Sequence, residues 1–320
     1  SVYRLERSWR ADKIGTIGSV KLAVDTSDFP TRPNSFYEAY ILLVSPNADF
    51  KDGDERLYPL LFKDGSFIQS ENEEDVVIND DDYFTIGVAR NRTIKDGNWN
   101  ADSVWLTGNV PGELETALIS EGDTITVTQE TEIGEVILAN DAHLKLELPV
   151  NKKFVLNTGS FVLNGTASVD PGNQGEISYE AEGDQDVTSL TYHKLRFRGS
   201  GTKTLAGDIT TQDFIYLNDD DVTVDVSTND YTITVNGDWK NTGSTFLARS
   251  GKVIFTGGGN HEVGNTGHRE VFNDIVLASG NNLDVDHSIA VKDTLYMNGG
   301  IIDATHNAQD TLFIGTDDSN

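Results

Sequence analysis

The chain has 320 residues, 37% of them hydrophobic, which is enough for two or three domains with a buried core. Asp and Glu number 52 against 24 Lys and Arg, and the resulting formal charge of −28 repels nucleic acid and anionic membranes, so neither is expected as a partner. Cysteine is absent, which excludes disulfides and thiolate metal sites. The longest apolar run, residues 39–44, is too short to span a bilayer, so no membrane insertion is expected.

Residues 1–95 are predicted to form an antiparallel β-sandwich. Acidic, turn-rich segments separate short apolar or alternating runs, and no stretch keeps the i, i+3, i+4, i+7 apolar spacing of a helix. The runs lie at residues 19–24, 39–44, 58–62, 75–78 and 83–88. Several short strands at this spacing are typical of a sandwich.

Residues 96–122 are predicted to form a junction or cap. This segment contains Trp99, Trp105 and the pair Pro111-Gly112 between two strand-like regions. A stack of repeats needs a cap, because its first layer would otherwise leave an open sheet edge and an uncovered core.

Residues 123–320 are predicted to form a right-handed parallel β-helix, which is a solenoid. Strand-like runs of three to five residues follow one another, and the turns between them are rich in Gly, Asn and Asp. In a β-helix, inward Val, Ile, Leu and Phe stack along the axis, while Gly and Asn supply the positive φ of the corners. An array of sandwich domains with an 80-residue repeat is the alternative interpretation.

An internal repeat supports the solenoid. Residues 192–218 and 272–298 align without a gap at an offset of 80, which pairs Leu195 with Ile275 and Tyr216 with Tyr296. A looser copy begins near residue 138. We expect residues 80 positions apart to occupy like places in successive layers of the stack.

Acidic loops provide the candidate metal site. Asp49, Asp52 and Asp54 lie in one loop with Asn47 and Glu55, and Ca²⁺ takes six to eight oxygen ligands. We predict these three aspartates as calcium ligands, with a solvated acidic loop as the alternative. The runs 80–82 and 219–221 are expected to be solvated, because adjacent residues of a strand point to opposite faces.

Catalytic chemistry is not predicted. A hydrolase site needs two carboxylates on one face, and residues 218–221 with His268 and Arg269 could supply one, but the Gly-His-Arg at 267–269 lacks the Gly-His-Gly form of the polygalacturonases that such a site would resemble. A lyase could use a row formed by Lys194, Arg196 and Arg198, but we favour an outward, solvent-facing row. The six histidines show no paired ligand spacing. The four tryptophans could line a sugar-binding groove, and packing at caps and junctions is favoured for all of them: Trp9, Trp99, Trp105 and Trp239.

Loose motifs of Trp, Asn and Gly carry a family resemblance. Residues 98–146 contain a W-N…W…G-x-V-P-G stretch followed by short strands and turns, and residues 237–263 contain a G-x-W-x-N-x-G-x-F…G-x-V-x-F-x-G unit. Both resemble β-helical modules of large secreted Bacteroidetes surface proteins, and residues 8–25 resemble the β-sandwich module that often precedes them. The resemblance implies an adhesin-like protein at the bacterial cell surface or outside the cell, exported by type IX secretion.

The expected function is therefore that of a non-enzymatic structural or adhesive segment of a large surface protein. Its expected partners are neighbouring modules of a longer chain and, at its surface, glycans or other cell-surface ligands. Calcium is the one cofactor that the sequence suggests. The alternative is a carbohydrate-active β-helix that binds or cleaves an acidic polysaccharide.

Overall fold

The computed structural model describes residues 2–12, 22–27, 29, 39–50, 56–64, 67–70, 76–265, 269–305 and 310–315. These residues form 36 strands and one short 3-10 helix, and no α-helix occurs among them. None of the described segments has the helical length and apolar character needed to cross a bilayer. The predicted all-β class is confirmed.

The N-terminal part is an antiparallel sheet of seven strands. They are β1 (Val2–Arg4), β2 (Trp9–Arg10), β3 (Ala23–Asp25), β4 (Ala39–Ser45), β5 (Arg56–Asp64), β6 (Phe67–Ser70) and β7 (Tyr83–Ala89). The order is β1-β7-β4-β5-β6-β3, and β2 also pairs with β7. Alternation along β4 gives both sides of the sheet a buried layer, because Leu42 and Val44 enter one cluster while Ile41 and Leu43 enter another.

The remaining strands coil into a parallel β-solenoid of about nine turns, with three faces. Face one is a single unbroken sheet of nine strands, while faces two and three are each built from shorter sheets that succeed one another along the chain. From the second turn onward, the chain visits the faces in the order one, two, three.

Face one contains β11 (Thr131–Ile133), β14 (Lys153–Leu156), β17 (Glu176–Tyr179), β20 (Lys194–Phe197), β23 (Ile215–Leu217), β26 (Trp239–Asn241), β29 (Gly259–Asn265), β32 (Asn281–Val285) and β35 (Ile302–Asp303). Face two contains β9 (Thr116–Ile119), β12 (Glu135–Leu138), β15 (Phe161–Leu163), β18 (Gln185–Val187), β21 (Gly201–Leu205), β24 (Val222–Asp225), β27 (Thr245–Leu247), β30 (Glu270–Phe272), β33 (Ile289–Val291) and β36 (Leu312–Ile314). Face three contains β8 (Gly97–Asn98), β10 (Thr124–Val127), β13 (His143–Leu146), β16 (Ser168–Asp170), β19 (Thr191–Tyr192), β22 (Ile209–Thr211), β25 (Ile233–Val235), β28 (Lys252–Phe255), β31 (Asp274–Leu277) and β34 (Leu295–Met297).

The side chains of a strand alternate in direction, so that every second one is apolar and points toward the axis. In β20, for example, Leu195 and Phe197 are buried while Lys194 and Arg196 lie outside. The inward side chains form one continuous core from the first turn to the last but one. Turn length is not constant: it is 18 residues from Ile177 to Leu195 and 24 from Trp239 to Val263. The corners between the strands differ in length and account for this variation.

The first turn is closed by tryptophans. Trp105 donates its indole N–H to the Trp99 carbonyl oxygen at 2.7 Å, and the two rings meet edge to face with centroids 4.9 Å apart. Trp99 also packs on Phe154, 5.5 Å away. The 3-10 helix Asp102–Val104 lies between the two tryptophans. The packing role predicted for these residues is confirmed, and the segment expected as a junction also contributes β8 and β9 to the solenoid.

The expectation that residues 80 positions apart occupy equivalent places is wrong. Leu195 and Ile275 are both fully buried, but Leu195 lies on face one and Ile275 on face three. Following register partners along face one, four turns lead from Leu195 to Val285, a separation of 90 residues. An offset of 80 therefore falls about a third of a turn short. The two copies present the same inward alternation on neighbouring faces.

Candidate functional site

A cluster of cationic and aromatic side chains lies on the outer side of face one. We call it the outer patch and define it by Lys194, Arg196, Arg198, Phe214 and Tyr216. Strand alternation places these side chains outside because the residues between them point into the core. The outward row predicted from the sequence is confirmed, although the side chains are half-buried against one another.

Arg196 is fixed at the centre of the outer patch. Its guanidinium donates two hydrogen bonds to the carboxylate of Glu176, at 2.6 and 3.0 Å, and a third to Asn218 Oδ1 at 3.0 Å. The guanidinium carbon also lies 4.5 Å from the centroid of the Tyr216 ring. The partners come from the turn before Arg196 and the turn after it, so this side chain holds three consecutive turns together from outside.

Carboxylates also pair the two other cations of the outer patch. Lys194 Nζ lies 3.6 Å from Asp213 and 5.6 Å from the centroid of the Phe214 ring. The Arg198 guanidinium lies 3.5 Å from Asp219 and 3.9 Å from Glu180. A lyase base would have to be released from such a pair before it could accept a proton.

The residues considered for hydrolysis do not converge in the described part of the chain. Asn218 accepts a hydrogen bond from Arg196 at the end of β23. Arg269 precedes β30, two turns further along, and its guanidinium lies 4.7 Å from the centroid of the Phe313 ring. His268 lies outside the described residues.

The predicted calcium ligands are only partly described. Asp49 is exposed, and its carbonyl oxygen accepts a hydrogen bond from Arg4 at 3.4 Å. Asp52 and Asp54 lie outside the described residues. Within the described ranges, no group of three or more His, Asp or Glu side chains is arranged to hold a metal ion. Calcium binding by this loop stays a prediction.

One of the two other acidic runs differs from expectation. Asp82 is buried, pairs with Arg56 and accepts a hydrogen bond from the Asn79 backbone N–H at 2.5 Å. Its carboxylate therefore anchors the turn before β7, and the solvated position expected for it is wrong. Asp219 accepts a backbone hydrogen bond from Gly199 at 2.9 Å, while Asp220 and Asp221 are exposed.

Polar side chains inside the solenoid are the feature that sequence reasoning missed. Each lies in a strand two residues before an inward apolar residue, so it points into the core. They are Gln185, Lys203, His261, Glu270 and Asn281. The period-two phase of each strand is the signal that could have found them.

Gln185 and Lys203 are register partners in successive turns of face two, and each binds the corner of the turn before it. Gln185 donates to the carbonyl oxygens of Leu156 and Gly159, at 3.0 and 2.5 Å. Lys203 Nζ donates to those of Ala181 and Gly183, at 2.7 and 3.0 Å. These bonds satisfy carbonyls that turn inward where the chain changes face.

His261 and Asn281 form a similar contact on face one. The two ring nitrogens of His261 lie 2.7 Å from the Gly237 carbonyl oxygen and 2.8 Å from Asn281 Oδ1. Asn281 also accepts from the Gly258 backbone N–H at 2.7 Å and donates to the Ala278 carbonyl oxygen at 2.9 Å. The side chains thereby join three successive turns through the interior.

Burial lowers the pKa of Lys203 from its ordinary value of 10.5 to about 8, and the neighbouring carboxylates Glu182 and Asp184 limit this fall. Between these two pH values the unfolded chain holds a proton that the folded chain has lost. The contribution of Lys203 to the free energy of unfolding therefore increases as the pH rises from about 8 to 10.5. Below pH 8 the side chain is charged in the folded chain, and the full cost of burying that charge lowers the free energy of unfolding.

Replacing Lys203 with Met is expected to remove this pH dependence. Relative to Lys203→Met, the native chain should gain at most about 3 kcal/mol of unfolding free energy between pH 7 and pH 10.5. Urea unfolding of both proteins across this range measures the difference. The comparison cancels the opposite contribution of Tyr179 and Tyr192, whose pKa values are raised by burial. An equal difference at both pH values would show that Lys203 does not titrate as described.

Comparison of the chain with protein-family models, with curated proteins and with solved structures finds no match.

Proposed function

We propose that the chain is a non-enzymatic structural and adhesive segment of a large protein that a bacterium secretes or displays on its surface. The observation that carries this proposal is the unbroken face one, in which nine parallel strands pair without interruption. At about 4.8 Å between strands, the eight spacings correspond to a stiff column about 38 Å long. Such a column keeps the modules at its two ends apart.

The surface charge supports this role. The formal charge of −28 keeps such a column soluble at high local density. The cations of the outer patch lie against carboxylates, so they stabilise the contact between turns and do not form a basic surface for an acidic polymer. The resemblance to secreted Bacteroidetes surface proteins supports the location and the export by type IX secretion.

Antibodies raised against the purified chain test the proposed location. We expect them to label intact cells of the bacterium that carries the gene, and we expect protease added outside the cells to remove the signal. A cytoplasmic control protein should survive the same treatment. Recovery of the chain only after cell lysis would contradict the proposal.

The alternative function, carbohydrate binding, is favoured by one observation. Phe214 and Tyr216 lie outside the sheet next to fixed hydrogen-bonding groups, a combination that suits sugar rings. A glycan array compares the native chain with Tyr216→Ala. Loss of a bound glycan in the variant, with the fold intact, would support binding at the outer patch. Cleavage of pectin or alginate by the native chain, with or without calcium, would instead favour an enzyme.

Calcium binding is part of the same proposal. We expect titration calorimetry with CaCl₂ to give a binding signal that the triple variant Asp49→Asn, Asp52→Asn, Asp54→Asn loses. A signal of the same size in the variant would place the ion elsewhere, and no signal in the native chain would remove calcium from the proposal.

A further inference from the structure

The side-chain amide of Asn281 has an orientation that the backbone fixes. Its nitrogen donates to the carbonyl oxygens of Ala278 and Ser279, at 2.9 and 3.1 Å. Its oxygen accepts from the Gly258 N–H at 2.7 Å. Exchanging the two atoms would set the nitrogen against an N–H and the oxygen against two carbonyl oxygens. The Asn281 atom that faces His261 is therefore an oxygen, which can only accept a hydrogen bond.

Both ring nitrogens of His261 consequently face acceptors. Nε2 lies 2.8 Å from Asn281 Oδ1, and Nδ1 lies 2.7 Å from the carbonyl oxygen of Gly237. A neutral imidazole has one N–H donor and one lone pair, so either neutral form would set a nitrogen lone pair against an oxygen lone pair. Only the doubly protonated ring donates a hydrogen bond in both directions.

From this geometry we infer that His261 is a buried imidazolium, and that loss of one of its ring protons releases the corner that precedes it. We call residues 257–259 the glycine corner. Its three glycines are exposed and have positive φ angles of 94°, 83° and 97°. Glycine loses more conformational freedom on ordering than any other residue, so the corner depends on the bonds that hold it. Asn281 Oδ1 holds the Gly258 N–H, and the Gly280 carbonyl oxygen holds the Gly259 N–H at 3.1 Å.

Hydrogen bonds stabilise the charged ring. His261 is 1% exposed, and in the described part of the chain no carboxylate lies within ion-pair distance of it. Its two short bonds to oxygen favour the imidazolium, because a hydrogen bond made by the charged form stabilises that form. The charged side chains on the strands around the ring are Asp238, Lys240, Glu262 and Asp284 outside face one, Lys252 and Asp274 outside face three, and Glu270 in the core, where Asn241 binds it at 2.7 Å. Ordinary carboxylates and lysines titrate at about 4 and 10, so the ring is the group here whose charge changes around neutral pH.

Raising the pH is expected to open the glycine corner. The two hydrogen bonds of the charged ring stabilise the folded chain at low pH, and one of them is lost when the ring becomes neutral. The Gly237 oxygen belongs to the backbone and cannot rotate, so the remaining proton is expected on Nδ1. Asn281 then turns its oxygen away from the lone pair on Nε2, which releases the Gly258 N–H as well.

Nitrogen NMR of the chain, labelled in its histidines, tests the charge directly. At about pH 7.5, where a free imidazole is mostly neutral, we expect both ring nitrogens of His261 to carry a proton that exchanges slowly with water. The chain has six histidines, and the signals absent from the spectrum of His261→Gln identify this one. One protonated and one unprotonated nitrogen would overturn the inference.

Hydrogen exchange measured by mass spectrometry tests the release of the corner. After correction for the intrinsic rise of exchange with pH, protection of the amides at 257–261 in the native chain should fall at least about tenfold between about pH 6 and pH 9. His261→Gln cannot titrate and should show no such fall. His143→Gln is the matched control, since His143 lies outside face three with its ring 2.8 Å from Ser168 Oγ, and it should behave like the native chain. Constant protection in the native chain, or an equal fall in His261→Gln, would overturn the inference.

Discussion

Trp239→Ala is expected to lower the free energy of unfolding by about 3–5 kcal/mol, the range measured when a large aromatic side chain is removed from a core. Trp239 is fully buried on face one, and its ring centroid lies 4.7 Å from that of Phe246 and 5.2 Å from that of Phe272. All three rings belong to adjoining turns. The neighbouring side chains cannot fill the cavity left by the substitution unless the strands move, and backbone pairing fixes the register of those strands.

Trp239 also has a polar contact. Its indole N–H lies 3.3 Å from the buried carboxylate of Glu270, which accepts a further hydrogen bond from Asn241 at 2.7 Å. Trp239→Phe keeps a six-membered aromatic ring in the core and removes this donor together with part of the ring volume. Guanidinium unfolding should therefore place Trp239→Phe between the native chain and Trp239→Ala. A loss below about 1 kcal/mol for Trp239→Ala would contradict the packing described for face one.

Gly237→Ala is expected to cost about 2–3 kcal/mol, by forcing two turns of the backbone apart. Gly237 lies in the corner between β25 and β26, and a methyl group there would overlap the carbonyl oxygen of Asp213 in the corner one turn earlier. The overlapping atom belongs to the backbone, so no side chain can rotate to relieve it. The His261 ring that contacts the Gly237 carbonyl oxygen would be displaced as well.

Gly112→Ala is the matched control for this substitution. The nearest atom to a methyl group at position 112 is a side-chain carbon of Glu115, at an ordinary 3.7 Å. Its effect should stay within about 0.5 kcal/mol, as for most surface substitutions. Thermal unfolding of the two variants side by side measures the difference. Equal melting temperatures would mean that the corners of successive turns do not approach as closely as described.

The all-β class and the solenoid could be predicted from the sequence because both depend on local alternation. A strand such as β20 reads Lys-Leu-Arg-Phe, and its phase alone separates the buried from the exposed side chains. Turn residues between such short strands leave few alternatives to a solenoid. The outward position of Lys194, Arg196 and Arg198 follows from the same rule.

The place of each residue around the coil could not be predicted, because turn length varies with the corners. Leu195 and Ile275 stand in similar sequences, yet they lie on different faces, since the intervening turns of face one vary from 20 to 24 residues. Local similarity fixes the direction in which a side chain points. It does not fix the layer or the face, which depend on the sum of all corner lengths between two copies.

The buried polar residues were missed for a different reason. Chemical type alone would place Lys203 and His261 at the surface. Their phase relative to Leu205 and Val263 instead places them inside. The buried position of these polar side chains is tolerated because backbone carbonyl oxygens in the corners serve as their hydrogen-bond partners, which a regular strand does not offer. Those partners lie one turn away and leave no mark in the local sequence.

The parallel register of the solenoid is the claim on which everything else depends, and paired cysteines test it most directly. Thr210 and Thr234 are register partners on the outer side of face three, as are Thr234 and Ile254. Neighbouring strands about 4.8 Å apart suit a disulfide. We expect Thr210→Cys with Thr234→Cys, and Thr234→Cys with Ile254→Cys, to form intramolecular disulfides readily, while Thr210→Cys with Ile254→Cys, two turns apart, does not. Rapid linkage of the last pair, or none in the first two, would contradict the register.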